Sequence, residues 1–240
     1  MSIGHPAFYA VALCLLITIP ACSGADSRVH GALTESAARH DAIALSDALE
    51  TLIAEGKDTP EDRDFAYREV QQRDDGTPGY AFARAAVIGR YVQAHGLTKG
   101  PLIAEMERYA RQSRALDPSF RGSAATRMLG TLYVLVPASL LKHGNSEEGL
   151  SMLEGLVKAH PEVMENRLRV AEAYMALTDP GPAYPHLCQC IAKKSALRSD
   201  DQRLLERLVK EAGDKLRCEA APAPSAAPSA APSAAPPPPK

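Results

Sequence analysis

The sequence predicts an all-α protein of stacked antiparallel helical hairpins, an α-solenoid with a disordered N-terminal tether and a Pro/Ala-rich C-terminal tail. Three observations carry that reading. Leu116-Asp117-Pro118 closes one helix and Ala159-His160-Pro161 closes another, with the two prolines 43 positions apart (161 − 118). After each proline comes a helix with a small residue three before a tyrosine: Gly130 and Tyr133, then Ala171 and Tyr174. No stretch alternates apolar and polar residues with a period of two over more than a few positions. Degenerate self-similarity of this kind belongs to helical units that bury their apolar faces by stacking on one another.

The composition limits what such a protein can do. The 240 residues are 45% hydrophobic and 23% charged, enough for one sizeable core. The formal charge of −2 and the lack of a basic patch argue against nucleic acid as a partner. There is no Trp and only 5% aromatic residues, so the core is built from Ala, Leu, Val and Ile. That suits close-packed helices and leaves little for a sugar- or base-stacking platform.

The N-terminal region reads as an address. Residues 1–21 form a signal peptide, whose apolar run Ala7 to Ile19 is too short to span a bilayer. The following Ile19-Pro20-Ala21-Cys22 resembles the lipobox of bacterial lipoproteins, with Cys22 at the lipidated position and Ala21 the small residue before it. Pro20 and the absence of Lys or Arg ahead of the apolar run depart from that pattern. Plain secretion with cleavage after Ala25, or an uncleaved anchor, are the alternatives. Lipidation would make residues 22–32 a tether and attach the protein to a membrane through its acyl chains. Ser23 after the cysteine implies an outer-membrane lipoprotein facing the periplasm; simple secretion would place it free in the periplasm.

The helical domain is read as residues 33–217. A helix is predicted from Thr34 to Glu55, with Ala38, Ala42, Leu45, Leu49 and Leu52 at helical spacing and Gly56 as its stop. Thr59 caps the next helix, with Pro60 at its first position. The turn cluster Asp74 to Gly79 ends it, and Tyr80 to His95 is helical again. Gly100-Pro101 opens a helix whose stripe is Leu102, Met106, Tyr109 and Leu116, answered by Phe120, Ala124, Met128, Leu132 and Leu135. Gly130 inside that second helix costs about 1 kcal/mol relative to Ala, which implies close approach of a neighbouring helix.

Pro137 to Gly144 is longer than a tight repeat turn and is expected to form an extra helical turn with Leu140 and Leu141 inward. Asn145 with Glu148 three residues on fits a capping box. Leu150, Leu153 and Leu156 or Val157 then face inward, and Val163, Val170, Ala171, Tyr174 and Leu177 continue the seam. Asp179-Pro180-Gly181-Pro182 breaks the chain before a helix over Pro185 to Ser195. Ser199 and Gln202 read as a second capping box ahead of Leu204, Leu205, Leu208, Val209 and Ala212. Residues 218–240 change to Pro, Ala and Ser, a composition that cannot bury a core and favours an extended tail.

Residues with chemical potential are few. Beyond Cys14 and Cys22 the cysteines are Cys188, Cys190 and Cys218. Cys188 and Cys190 are two apart on a helix and point in different directions, so Cys218 pairs with one or the other if a disulfide forms. His186 and Cys190 stand at i and i+4, but a structural zinc site needs four ligands and no second cluster is visible. The reading is therefore no metal and no cofactor. The acidic pairs Glu147-Glu148 and Asp200-Asp201 fall in first helical turns, where capping and the helix dipole account for them. Arg127 and Asn166 lie early in the paired helices, lining the inner face of the stack or bonding between helices.

The residues Leu116-Asp117-Pro118, Arg127, Gly130, Tyr133, Pro137, Gly144 to Leu150, Pro161, Asn166 and Ala171 to Tyr174 resemble tetratricopeptide-like proteins. Among those they are most similar to the T-component family of TRAP transporters, over 100–197 well and 60–99 loosely. The resemblance implies an all-helical periplasmic lipoprotein that associates with a solute-binding protein and can form homo-oligomers around an apolar pore. The function expected is thus non-enzymatic binding of a protein partner in the bacterial envelope. The alternative is an accessory role in TRAP-type transport, with a solute-binding protein or small ligand as partner. An enzyme using His186, Cys188 and Cys190 is the third reading.

Overall fold

Caps and short turns divide the chain into helices. The structure, a computed structural model, describes residues 29–72, 74–96 and 100–218. Cys22, the signal peptide and residues 219–240 of the tail lie outside the described residues. Those described contain α1 (Gly31–Ala38), α2 (Ala42–Glu55), α3 (Pro60–Glu69), α4 (Pro78–His95) and α5 (Gly100–Leu116). There follow α6 (Phe120–Leu135), α7 (Ser146–Ala159), α8 (Met164–Ala176), α9 (Ala183–Ala192) and α10 (Ser199–Ala212). Among the described residues there is no strand.

Several starts and stops follow from the residues named above. Thr59 caps α3 and forms a full box with Asp62. Thr77 and Pro78, read as part of a turn, instead cap and open α4 two residues before Tyr80. Asn145 accepts the Glu148 N–H at 2.9 Å. Gly56 ends α2 in the left-handed region, where only glycine avoids a Cβ penalty.

The remaining boundaries differ from expectation. The single helix over Thr34–Glu55 is two helices, broken at residues 39–41 with His40 at φ 53°. Asp41 caps the second by accepting the Ala44 N–H, and α1 buries Leu33 and Ser36 while Ala38 faces solvent. Gly31 and Ala32, assigned to the tether, are the first residues of α1. The helix placed at Pro185–Ser195 is α9, two residues earlier, followed by a 3-10 turn at Lys194–Ala196. Ser199 is not a cap: Arg198 holds that position, without a side-chain cap bond, and Gln202 turns its amide to the Leu197 carbonyl. Leu116 and Leu135, counted into apolar stripes, are exposed at 51% and 42%. The chain begins α6 with Arg121, Gly122 and Ser123 all in the left-handed region (φ 49°, 62° and 61°).

Consecutive helices pack as hairpins, and their cores are local, as expected of a stacked repeat. One cluster joins α4, α5 and α6 through Tyr80, Ile88, Ile103, Leu129 and Tyr133. A second joins α8, α9 and α10 through Leu168, Leu187, Cys190, Leu205 and Leu208, and a third holds α1 to α4 around Leu45 and Leu49. The repeat positions mark the tightest seams. A Cβ on Gly130 would lie 2.7 Å from Leu153 Cγ, and one on Gly149 would lie 2.7 Å from the Gly130 carbonyl oxygen. The backbones of α6 and α7 therefore touch, which explains the glycine inside α6. Ala171 is fully buried beside Leu168 and Leu187.

Pro137 to Gly144 forms the expected extra turn, a 3-10 helix at Ala138–Leu140, with Leu140 and Leu141 against the main core. Buried Glu107 fastens it by accepting the Lys142 N–H at 2.7 Å and the His143 N–H at 2.9 Å.

The stack also meets itself end to end. From α10, Arg203 donates to the carbonyls of Ile53 and Ala54 at 3.0 and 3.3 Å, and Arg198 donates to the Glu50 carbonyl at 2.7 Å. The guanidinium groups sit at the C-terminal end of α2, where the helix dipole favours a cation.

Candidate functional site

Closing the stack in this way leaves a cleft of about 640 Å³ on its inner side. Side chains of α2, α4, α6 and α8 line it, with Ile103 and Met106 of α5 and Arg198 just ahead of α10. The floor is apolar: Phe82, Ala86, Gly89 and Val92 come from α4, and Met128, Leu132 and Leu135 from α6. Leu135 is exposed because no helix covers it from the cleft side. Met106 closes over Gly89, where an added Cβ would meet its terminal methyl at 3.1 Å.

Five arginines surround this floor, four of them firmly neutralised. Arg90 grips both Glu50 oxygens at 2.6 Å each. Arg121 holds both oxygens of Asp47, at 2.5 and 2.7 Å. Arg169 bonds Glu172 at 2.9 Å and Asp201 at 2.6 Å. Arg198 bonds Asp200 at 3.2 Å and shares Glu50 at 3.3 Å. Burial opposes the charge at Arg90 and Arg169, but Glu50 outweighs it at the first, and Glu172 with Asp201 at the second, and both values rise. At Arg121 the Asp47 hydrogen bond raises it.

Arg127 differs. Its Nη1 donates to the neutral Asn166 Oδ1 at 2.9 Å, and its nearest carboxylate, Glu165, stands 3.4 Å from Nη2. Burial pulls this guanidinium below its usual value, against the pull of Glu165 and with repulsion from Arg169. Arg127 and Asn166 thus bond between α6 and α8, and Arg127 also lines the cleft.

The other residues singled out in the sequence lie elsewhere. Tyr133 is buried and donates to Glu107 at 3.1 Å, and half-buried Tyr174 donates to Glu154 across the next hairpin. Each repeat tyrosine thus reaches a glutamate on the preceding helix of its own hairpin. Asp201, assigned to capping, is buried in the pair with Arg169; burial nevertheless pushes its carboxyl up. Asp200 likewise pairs with Arg198.

Cys188 and Cys218 form a disulfide, with their Cα atoms 5.3 Å apart, and fasten the end of the helical domain to α9. Cys190 remains a buried thiol against the Met164 carbonyl, and burial pushes it up to about 11. His186 is half-buried and lowered by burial and by Arg167. With one cysteine oxidised and the other turned into the core, His186, Cys188 and Cys190 do not converge. Among the described residues no group of three or more His, Cys, Asp or Glu is placed to hold a metal ion.

Sequence reasoning reached Arg127 and Asn166, early in paired helices. It did not reach Glu50, Arg90 or Arg198, because charged residues spaced along separate helices carry no local sign of convergence. The fold and the cleft define an all-α helical-repeat protein. No protein-family model matches the chain, and no curated protein sequence matches it. Among the described residues no helix is long and apolar enough to cross a membrane.

Proposed function

We propose that this is a non-enzymatic, lipid-anchored helical-repeat protein that binds a protein partner in the bacterial envelope through the cleft. The observation that carries the reading is an apolar floor left uncovered within a ring of arginines, on the inner face of the stacked helices. Exposed apolar surface rimmed by polar groups marks interaction sites. Most of the charged groups there are tied to one another, which suits a rigid recognition surface rather than proton transfer. The anchor is supported by Ile19-Pro20-Ala21-Cys22 and places the protein on the outer membrane, facing the periplasm.

A second reading, an accessory T-component of TRAP-type transport, is favoured by the resemblance over 100–197 and by the cleft volume. Clefts of roughly 300–1,000 Å³ suit small ligands.

The test places a photo-crosslinking amino acid at Leu135, in the cleft, or at Leu116, exposed on α5, in lipidated protein within its own envelope. A discrete adduct from Leu135 alone, identified by mass spectrometry as an envelope protein, is the expected result. A solute-binding protein in that adduct selects the transport reading, and adducts from Leu116 alone remove the cleft as the binding face. Loss of membrane retention in Cys22→Ala checks the anchor.

A further inference from the structure

We infer that Arg127 is the anion-recognising residue of the cleft and that the partner segment is a short extended peptide carrying a carboxylate and, four residues along, a bulky apolar side chain. The inference rests on the cleft being a protein-binding face. It follows from unequal neutralisation around the rim. Arg90, Arg121 and Arg169 each bond at least one carboxylate oxygen at 2.6 Å or less, and Arg198 bonds Asp200 at 3.2 Å. Arg127 has a neutral amide as its hydrogen-bond partner and a carboxylate only at 3.4 Å. Its side chain is 19% exposed, so bulk water does little to compensate the charge. A ligand carboxylate entering the cleft would supply what Asn166 cannot, as a charge-assisted and geometrically specific bond.

The spacing on α6 defines the rest of the ligand. Arg127, Met128, Thr131, Leu132 and Leu135 all line the cleft, so one helical face carries the cation at one end and exposed Leu135 at the other. Eight residues at a rise of 1.5 Å separate these ends by about 12 Å. An extended peptide covers that distance in roughly three to four residues at about 3.3 Å each. Alternate side chains of an extended strand share a face, so the recognised segment has its carboxylate four residues from a leucine-sized side chain. The floor between accepts small residues against Met128 and Leu132.

Three capped hexapeptides test this with the full chain: one with a single glutamate and a leucine four residues on, its glutamine counterpart and its lysine counterpart. Binding is read by fluorescence anisotropy to wild-type protein and to Arg127→Gln and Arg127→Lys variants, with thermal melts to verify folding. The glutamate peptide is expected to bind at least tenfold more tightly than the glutamine peptide, and the lysine peptide most weakly. That preference should vanish in Arg127→Gln and partly persist in Arg127→Lys. Equal binding of all three peptides to wild type overturns the role of Arg127 and leaves the cleft as a peptide site. A glutamate preference that survives in folded Arg127→Gln also overturns it. Binding of dodecanoate, run alongside, with none of the peptides overturns the peptide class. No binding of any probe at millimolar concentration overturns the inference, while the Leu135 crosslink decides the underlying reading separately.

Discussion

The Tyr133 hydroxyl on α6 donates to Glu107 on α5 at 3.1 Å, and the same carboxylate accepts the N–H groups of Lys142 and His143. One fully buried acid therefore ties together both helices of a hairpin and the segment that follows them. Gly144 completes the arrangement by lying against the Tyr133 ring, where a Cβ would fall 2.2 Å from Cζ. Glu107→Ala removes the acceptor of two part-buried N–H donors and of the buried Tyr133 hydroxyl, at about 1–3 kcal/mol for each group left unsatisfied. We expect a total loss of about 3 kcal/mol, since water entering the gap meets part of the demand. Glu107→Gln keeps one acceptor oxygen and should lose less. Urea unfolding of both variants checks the order, and hydrogen exchange should show residues 138–144 opening first.

The glycine contact between α6 and α7 gives a second expectation, with opposite signs at neighbouring positions. Gly130→Ala and Gly149→Ala each gain about 1 kcal/mol of helix propensity. The first drives a methyl group into buried Leu153 and the second into the Gly130 carbonyl, at roughly 1–3 kcal/mol for overpacking. Both variants should therefore be destabilised. Gly155→Ala on α7, with nothing within 4 Å of its added methyl, should be stabilised by about 1 kcal/mol. Thermal melts of the three single variants decide it, and a stable Gly130→Ala would contradict the backbone contact.

Acid should loosen the N-terminal end through Asp62. Burial works against its charge, yet bonds from the His30 and Thr59 N–H groups and from both side chains hold its carboxyl below the ordinary 3.8. A depressed folded-state value means that the stabilisation is whole above the unfolded value and fades as pH falls through the folded one. Asp201 has the opposite sign, since its raised carboxyl weakens the fold when ionised and ceases to do so on acidification. Comparison with Asp62→Asn isolates the first effect. At neutral pH that variant should be less stable by about 1–3 kcal/mol. The gap should narrow progressively below pH 3.8. Melting temperatures from pH 6 to pH 2.5 measure it.

Reduction should act on the C-terminal end. The Cys188–Cys218 bond closes a span of 30 residues, for which chain entropy predicts about 3–4 kcal/mol of stabilisation. A Cys188→Ala/Cys218→Ala protein should melt lower and lose its sensitivity to reductant. Cys190, buried and with its thiol near 11, should resist alkylation until the protein is denatured. Peptide mapping after alkylation reads both outcomes.

Local chemistry made much of this fold legible. Thr59, Asn145 and Gly56 act by contacts within one turn, so their roles can be read from spacing alone. Gly130 was readable as a close approach because a glycine in a regular helix needs a reason. The break at His40 was not readable: no Gly or Pro marks it, and apolar spacing from Ala38 to Ala42 continues in register across it. Leu135 fits its stripe equally well whether a helix covers it or an open cleft adjoins it. The pairs Arg90–Glu50, Arg169–Asp201 and Arg198–Glu50 join helices far apart in sequence, beyond the reach of any periodicity.

Arrays of stacked hairpins ordinarily gain or lose a unit with little penalty, since each unit answers only to its neighbours. Arg198 and Arg203 remove that freedom by reaching the end of α2. An inserted or deleted hairpin would carry α10 past Glu50 and Ile53 or leave it short of them. A change in the number of repeats would therefore break these contacts, as a stave added to a hooped barrel would part the hoop.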